Sequence, residues 1–354
     1  MNTDYKQFLE NLFLTLGREN ASDLHLSPGR KPIMRVEGEL IPLTNREVLT
    51  KEDTFGILKS IVTEENLTKV MNIEEIDFAY SYKDELRFRA TAYVQSAGIN
   101  LTFRVIQEVR ELSELNLPPI LESFTQKEQG LFLVVGPVGQ GKSTTMAAMI
   151  SMINQTRKEH IVTIENPIEY LFHDDKSIID QREVGIDTHS FETGLNSVFR
   201  QDVNIIMVGE MRNPETIATV VTAAETGHLV FSTLHTNNAA QTIDRIIDSF
   251  PANQQNQVRA QLAGSLIGIF SQRLLKSQRG GMVPAYELMI NTKAVANLIR
   301  EGRTHEINTV IETGSEKGMI DMNKSLIDLV ERGHITVDQA YQHSLNPKLL
   351  DSMI

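Results

Sequence analysis

The sequence contains no cysteine and no tryptophan, and only 6% of its 354 residues are aromatic. The absence of cysteine excludes disulfides and thiolate metal sites, which suits a reducing compartment. No apolar run approaches the roughly 18 residues of a membrane span. The first residues, Met1 to Lys6, also lack the basic and apolar segments of a signal peptide. These absences predict a soluble, intracellular protein.

Positive charge is also scarce. Lysine and arginine total 34 against 46 aspartates and glutamates, so the formal net charge is -12 at pH 7. A broad basic surface that follows a phosphate backbone is therefore not expected, and few aromatic residues are available to stack on bases. Nucleic acid is not an expected partner.

The length is sufficient for two domains, each with its own core. In the first hundred residues, short alternating segments separated by brief turns such as Lys83-Asp84-Glu85 predict an antiparallel sheet with helices on one side. The predicted strands span residues 23–26, 33–40, 76–82, 86–94 and 99–106. We predict an α+β domain over residues 1–107 and a linker over 108–120, where Pro118-Pro119 interrupts regular structure.

The texture changes in the predicted second domain, residues 121–354. Short runs that are apolar on both faces alternate with helical stretches, which is typical of buried parallel strands in a doubly wound α/β sheet. The runs span residues 131–135, 161–164, 205–208 and 229–231. From Thr292 onward the pattern is helical, with breaks at Gly302, Gly314, Gly318 and Gly333.

A glycine-rich motif, Gly136-Pro-Val-Gly-Gln-Gly-Lys-Ser143, follows the predicted strand 131–135 and opens a predicted helix over 143–153. The pattern G-x-x-x-x-G-K-[ST] in this context is a phosphate-binding loop (P-loop). Its backbone amides surround a phosphate, the lysine reaches the β and γ phosphates, and the serine hydroxyl binds magnesium. The predicted ATP-binding residues are Gly136, Pro137, Val138, Gly139, Gln140, Gly141, Lys142, Ser143 and Thr144.

Two glutamates end predicted strands of the same sheet. Glu210 closes 205–208 after one glycine, and Glu165 closes 161–164. Ligands of open α/β sheets bind at the carboxyl ends of the strands, so both carboxylates are expected beside the triphosphate. There they can orient water and hold Mg²⁺ directly or through water, together with Ser143. A surface acid after a strand is the alternative for each.

Four segments resemble, in order and spacing, the Walker A, Asp, Walker B and His boxes of the secretion ATPases of the type II and type IV pilus superfamily. Further motifs resemble the PilT-like pilus retraction ATPases within it: Ala21-Ser-Asp-Leu-His-Leu-Ser27, Arg87-Phe-Arg89, Gln181-Arg-Glu-Val184, Thr242-Ile-Asp-Arg245 and Asn297-Leu-Ile-Arg-Glu301. The four boxes are residues 136–144, 163–169, 206–212 and 223–235. The resemblance implies a RecA-like P-loop domain after an N-terminal PAS-like domain, assembled as a homohexameric ring with ATP between the two domains and against a neighbouring subunit.

The resemblance also implies residue roles. Glu210 is the general base, Glu165 assists with metal or water, and His228 and His235 lie near the γ-phosphate. Arg87, Arg89 and Arg104 act as arginine fingers. From the residues alone, a histidine beside a strand is more often structural, and the arginines are the polar face of alternating strands.

The sequence departs from the family pattern at several positions. Asn166, Asn204 and Asn213 stand where aspartate is expected, and each is expected to remove a negative charge near the metal. Ala296 replaces an arginine typical of retraction motors. Val138 and Gln140 replace small polar P-loop residues, which we expect to be tolerated because the backbone carries the phosphate contact.

The expected function is an ATPase motor for type IV pilus retraction and twitching motility, in the cytoplasm at the inner face of the membrane. Its expected partners are further copies of itself, an inner-membrane platform protein and a paralogous pilus ATPase. A pilus extension or type II secretion ATPase is an alternative, although those proteins commonly carry a four-cysteine zinc insert. A RecA-like nucleic-acid translocase and a weakly active, nucleotide-switched assembly protein are the others.

Overall fold

The computed structural model describes residues 4–36, 38–82, 86–106 and 108–353. The chain divides into two compact units between Glu108 and Val109. The turn predicted at Lys83-Asp84-Glu85 and the domain end predicted at Gln107 lie outside the described residues.

The first unit is an antiparallel six-stranded sheet with helices, in the strand order β3-β2-β1-β6-β5-β4. Its elements are α1 (Tyr5–Arg18), β1 (Asp23–Leu26), β2 (Ile33–Val36), β3 (Glu39–Pro42), α2 (Lys51–Ile61), α3 (Glu64–Met71), β4 (Ile76–Tyr82), β5 (Leu86–Gln95) and β6 (Gly98–Ile106). The apolar face of α1 covers one side of the sheet, where Phe13 stacks on Phe88 with ring centroids 4.0 Å apart. The predicted α+β architecture is confirmed.

One predicted strand of this unit is wrong. The segment 33–40 forms two antiparallel strands, β2 and β3, in which Val36 pairs with Glu39. Gly38 between them has φ +88°. This left-handed backbone is accessible to glycine at little cost, and it turns the chain back on itself.

The second unit is a seven-stranded sheet in the order β13-β12-β7-β11-β10-β8-β9. Its strands are β7 (Gly130–Val135), β8 (His160–Glu165), β9 (Ile178–Glu183), β10 (Ile205–Val208), β11 (Leu229–Leu234), β12 (Leu266–Lys276) and β13 (Met282–Ile290). Only the pairing of β12 with β13 is antiparallel; the other five described pairings are parallel. The predicted mostly parallel α/β sheet is confirmed, whereas β9, β12 and β13 were not predicted.

Helices cover both faces of this sheet. They are α4 (Leu121–Thr125), α5 (Lys142–Thr156), α6 (Phe191–Val198), α7 (Pro214–Glu225), α8 (Ala239–Asp248), α9 (Ala252–Ser265), α10 (Lys293–Glu301), α11 (Ile307–Thr313), α12 (Met322–Glu331), α13 (Val337–His343) and α14 (Pro347–Asp351), with short 3-10 turns at Leu112–Leu115, Thr304–Glu306 and Ser315–Lys317. Leu131 and Leu133 of β7 enter one core, and Phe132 and Val134 enter the other. Both faces of the strand are therefore buried, as its continuous apolar sequence indicates.

Two further predictions concern the linker and the helical tail of the chain. The 3-10 turn at Leu112–Leu115 lies within the predicted linker, and Leu112 is buried in the same core as Phe132. The helical pattern predicted from Thr292 is confirmed, because Thr292 caps α10 and Gly302 ends it in a left-handed conformation.

Candidate active site

The P-loop connects the end of β7 to the start of α5. Gly136, Gly139 and Gly141 all have positive φ angles, of 148°, 75° and 76°. A Cβ at Gly136 would lie 2.5 Å from the carbonyl oxygen of Gln272, so this position has room only for glycine. The glycines of the motif thus allow a tightly turned loop against the neighbouring strand.

The P-loop leads into α5, a helix whose N-terminus has no side-chain cap among the described residues. Among the described residues, no side chain caps α5, whereas Ser190, Asn213 and Asn238 cap α6, α7 and α8. The first amides of a helix have no partners within the helix, and they carry the positive end of its dipole. A phosphate group fits this position as the missing cap.

The side chain of Lys142 lies inside the P-loop and is hydrogen-bonded to it. Its Nζ donates to the carbonyl oxygens of Gly136 and Pro137, each at 2.8 Å, and lies 3.3 Å from Nδ1 of His235. The side chain is buried, and this burial lowers its pKa to about 8 even though Glu169 and Glu210 favour the charged form. An arriving anion would favour the charged ammonium further.

Glu210 lies just beyond the carboxyl end of β10. Its Oε1 forms an ion pair with Nε of Arg212 at 2.7 Å, and its Oε2 lies 3.5 Å from Nε2 of His235. Because the ammonium of Lys142 only donates, Nδ1 of His235 accepts, which places the proton of a neutral imidazole on Nε2. Lys142, His235, Glu210 and Arg212 therefore form a continuous polar chain.

Glu165 ends β8 in a much drier environment. Its Oε1 accepts hydrogen bonds from Oγ1 of Thr163 at 2.6 Å and Nε2 of Gln181 at 3.1 Å. Burial raises its pKa to about 7, with a smaller contribution from the like charge of Glu169, although these hydrogen bonds act in the opposite direction. The two glutamates thus differ in environment, with Glu165 close to half-protonated at neutral pH.

The raised pKa of Glu165 makes stability depend on pH. The folded protein retains a proton that the unfolded chain, with a glutamate pKa near 4.5, releases, so the stabilisation is complete below pH 4.5 and is lost as pH rises through 7. We expect Glu165→Gln to gain, relative to the parent protein, on the order of 1–3 kcal/mol in unfolding free energy between pH 5 and pH 8. Denaturant unfolding at both pH values measures this gain.

Glu215→Gln provides the matched control, since Glu215 is exposed in the first turn of α7. Its difference from the parent should not change with pH. Burial also raises the pKa of Glu287 to about 7, but this glutamate is present in every variant and its contribution cancels. A pH-independent difference for Glu165→Gln would contradict the prediction.

A cavity of about 230 Å³ is lined by several of the predicted residues of the second unit. Lys142, Ser143, Glu165, Glu210 and His235 all line it. Sequence reasoning gave no individual role to several other residues at this site. These are Tyr170, whose hydroxyl lies 2.7 Å from Oγ1 of Thr144; Gln181, which holds Glu165; Glu169; and Arg212.

The structure separates His228 from this cavity. His228 precedes β11 at its amino end, where its Nδ1 lies 3.1 Å from the carbonyl oxygen of Ala223, whereas His235 follows the carboxyl end. The strand between them corresponds to about 20 Å at 3.3 Å per residue. Within this chain the two histidines therefore lie at opposite ends of β11, and the role of His228 near the γ-phosphate stays a prediction.

Two of the three asparagine departures do not line the cavity. Asn204 precedes β10 at its amino end, where its Oδ1 accepts from the backbone N–H of His160 at 2.9 Å. Asn213 caps α7 by accepting from the backbone N–H of Thr216 at 2.9 Å. Asn204 therefore lies at the opposite end of β10 from Glu210. Of the three, Asn166 lines the cavity.

Ala296, another departure from the family pattern, is buried in the core on α10, where it is 8% exposed. An arginine at this position would need its charged end to reach solvent past the core.

The three predicted arginines lie on one face of the sheet in the first unit. Arg89 and Arg104 are directly opposite each other on β5 and β6, and Arg87 lies two residues before Arg89. Nε of Arg104 donates to Oδ1 of the buried Asp23 at 2.8 Å, while Arg104 remains exposed. Asp23 thus anchors one edge of a guanidinium whose other edge is open to an anion.

Two further findings concern metals and membranes. Within residues 4–36, 38–82, 86–106 and 108–353, no three His, Cys, Asp or Glu side chains are grouped as a metal site. Mg²⁺ commonly uses one or two carboxylates together with substrate phosphates and water, which is the donor set that Ser143, Glu165 and Glu210 could complete.

None of the helices in the same ranges is long and apolar enough to cross a bilayer.

Comparison with known proteins shows the family of this chain. The family described as Type II/IV secretion system protein matches residues 5–343. The type IV pilus retraction ATPase PilT of Pseudomonas aeruginosa is 41% identical over 332 residues, which cover 94% of this chain and 96% of PilT. A twitching motility protein of Neisseria gonorrhoeae is 43% identical over 317 residues, which cover 89% of this chain and 84% of that protein.

Solved structures give the same result. A crystal structure of the pilus retraction motor PilT with bound ADP superposes with a TM-score of 0.91 at 41% identity, covering 97% of this chain and 99% of that one. The resemblance to PilT-like secretion ATPases is confirmed, and the chain belongs to the type II/IV secretion system protein family.

Proposed function

We propose that this protein is an ATPase motor that powers type IV pilus retraction and thereby twitching motility. The observation that carries the proposal is that one cavity brings a P-loop lysine and serine together with two strand-end glutamates. Relatives named as a pilus retraction ATPase and a twitching motility protein match nearly the whole chain.

The substrate would be ATP with Mg²⁺. The uncapped start of α5 and the ammonium of Lys142 offer donors to its phosphates, and Ser143 with Glu165 and Glu210 would hold the metal, directly or through water. Bound magnesium neutralises charge on the phosphate oxygens. Residues 137–141 and Thr144 complete the proposed phosphate cradle.

Hydrolysis would depend on charge stabilisation and on positioning of water. Glu210 is the proposed base, because Arg212 fixes one carboxylate oxygen and leaves the other toward His235 and the cavity. Lys142 would neutralise the transferred phosphoryl group. His235, which contacts both Lys142 and Glu210, would link the phosphate state to the segment that follows β11.

Arg87, Arg89 and Arg104 are proposed arginine fingers. We expect Arg104→Ala and Arg104→Lys each to lower kcat by about tenfold or more, because lysine retains the charge but lacks the planar fork. Steady-state phosphate release measures the effect, and thermal melting tests whether the loss of the Asp23 partner unfolds the first unit. A folded Arg104→Lys protein with unchanged kcat contradicts the assignment.

The proposed assembly is a homohexamer in the cytoplasm, bound to the inner face of the membrane at the pilus base. Its partners would be an inner-membrane platform protein and a paralogous pilus ATPase. Mass photometry with and without Mg-ATP tests the ring, for which the expected mass is six times that of the 39.8 kDa chain.

Gene deletion in the source organism, combined with phosphate release by the purified protein, tests the function. Deletion mutants with excess pili and no twitching, together with ATP hydrolysis, support retraction. Deletion mutants without pili indicate an extension ATPase, and DNA-stimulated hydrolysis indicates a translocase. Absence of hydrolysis in millimolar Mg-ATP contradicts the motor.

A further inference from the structure

Strand β12 lies directly beside the P-loop. It runs parallel to β7, and Ser271 is opposite Val135, the last residue of β7. The next residue, Gln272, therefore lies alongside Gly136, and its carbonyl oxygen occupies the space that a Cβ there would need. The strand continues past the sheet edge where the P-loop begins.

The side chain of Gln272 joins two parts of the phosphate site. It is 3% exposed. Its Oε1 accepts from Oγ1 of the buried Thr145 at 2.7 Å, and its Nε2 donates to the carbonyl oxygen of Gln140 at 2.9 Å. The carboxamide thus connects the first turn of α5 to the tip of the P-loop.

Gln140 makes a bond in the opposite direction. Its Oε1 accepts from the backbone N–H of Leu274 at 2.8 Å. Each glutamine side chain therefore bonds to the backbone of the other segment, and we name this pair of residues the amide clasp. Neither the ammonium of Lys142 nor the hydroxyl of Ser143 takes part in these bonds.

A glycine-rich loop gains conformational freedom when it is not held, and that freedom must be lost when its amides converge on a phosphate. A loop that is already fixed binds more tightly, because less ordering accompanies binding. The amide clasp fixes the loop through side chains on its outer side, leaving the amides of the inner side for the ligand.

The geometry points to Gln272 and Gln140 as positioning residues that preorganise the P-loop for a nucleoside diphosphate or triphosphate. The inference rests on the proposed function, since it concerns the same nucleotide site. It assigns the Gln140 side chain a role that backbone-only phosphate contact does not require. Since the amide clasp acts equally before and during hydrolysis, its loss should change nucleotide affinity much more than kcat.

The first experiment measures ADP affinity of Gln272→Met by isothermal titration calorimetry, because methionine has a similar volume and cannot form either bond. We expect the Kd to rise about tenfold, and kcat at saturating Mg-ATP to stay within about threefold. Gln254→Met, at an exposed position on α9, is the matched control and should bind like the parent protein.

The second experiment uses Gln140→Ala, which removes only the bond to Leu274, and combines it with Gln272→Met. We expect Gln140→Ala to raise the Kd about threefold in the parent and by less in the Gln272→Met background, because the two bonds close one loop. Should Gln272→Met fail to fold, Gln140→Ala alone decides, and an unchanged Kd overturns the inference.

The results of these experiments distinguish a failure of this inference from a failure of the proposed function. ADP binding by the parent together with a Kd within twofold of it in both glutamine variants overturns the amide clasp alone. A decrease in kcat as large as the loss of affinity also overturns it. A parent protein that binds no ADP at millimolar concentration overturns the proposed function as well.

Discussion

Lys142→Ala should weaken ATP and ADP binding by at least about 100-fold and bring phosphate release to background. The ammonium is buried between two P-loop carbonyl oxygens and His235, so it is fixed at the position where a phosphate would meet it. Hydrogen bonds to charged groups contribute roughly 1.5–3 kcal/mol. The buried position of the ammonium would shield its bond to a phosphate from water. Titration calorimetry and a phosphate-release assay measure the two effects.

Lys158→Ala is the matched control, because Lys158 is exposed just after α5 and outside the cavity. Lys142→Met tests the volume of the buried stem separately from its charge. If Lys142→Ala binds ADP within threefold of the parent, the phosphates do not occupy the P-loop, and the assignment of the site is wrong.

Four parallel strands, β7, β8, β10 and β11, were predictable because each is apolar on both faces. Glu210 and Glu165 were predictable as partners because the carboxyl ends of parallel strands share one edge of a sheet. The same rule places Asn204 and His228, which precede their strands, at the opposite edge. The family boxes alone do not specify at which end of its strand each residue lies.

Other features carried weaker signals. Strand β9 lies at the edge of the sheet, and four of its six residues are polar, so it lacks the apolar run of a buried strand. The turn between β2 and β3 rests on the single residue Gly38 among described residues, which an alternating pattern does not separate from a strand interior. The bonds of Gln272 reach Thr145 and Gln140, 127 and 132 residues away, and no local pattern encodes such contacts.

The environments of the two glutamates support the different roles that we propose for them. Glu165 has one oxygen engaged by Thr163 and Gln181, and its pKa of about 7 leaves it partly protonated when hydrolysis would occur. The side chain of Glu210 is 14% exposed, and an arginine and a histidine face its two oxygens. A carboxylate that must accept hydrogen bonds from water is better provided by Glu210.

Glu210→Gln should therefore lower kcat by about 100- to 1,000-fold while ADP affinity stays within about threefold. Glutamine retains the shape of the side chain but cannot accept a proton, and its amide cannot pair with Arg212 as a charge. Single-turnover hydrolysis and ADP titration separate chemistry from binding. Glu215→Gln is again the exposed control.

Comparison with Glu165→Gln determines whether the two carboxylates are interchangeable. If Glu165 mainly holds the metal, its variant should raise the Mg²⁺ concentration needed for half-maximal turnover, and extra Mg²⁺ should restore part of kcat. Extra Mg²⁺ should not restore Glu210→Gln, because a missing proton acceptor is not replaced by a cation. A Glu210→Gln protein that retains a third of the parent kcat, beside an inactive Glu165→Gln protein, would reverse the two assignments.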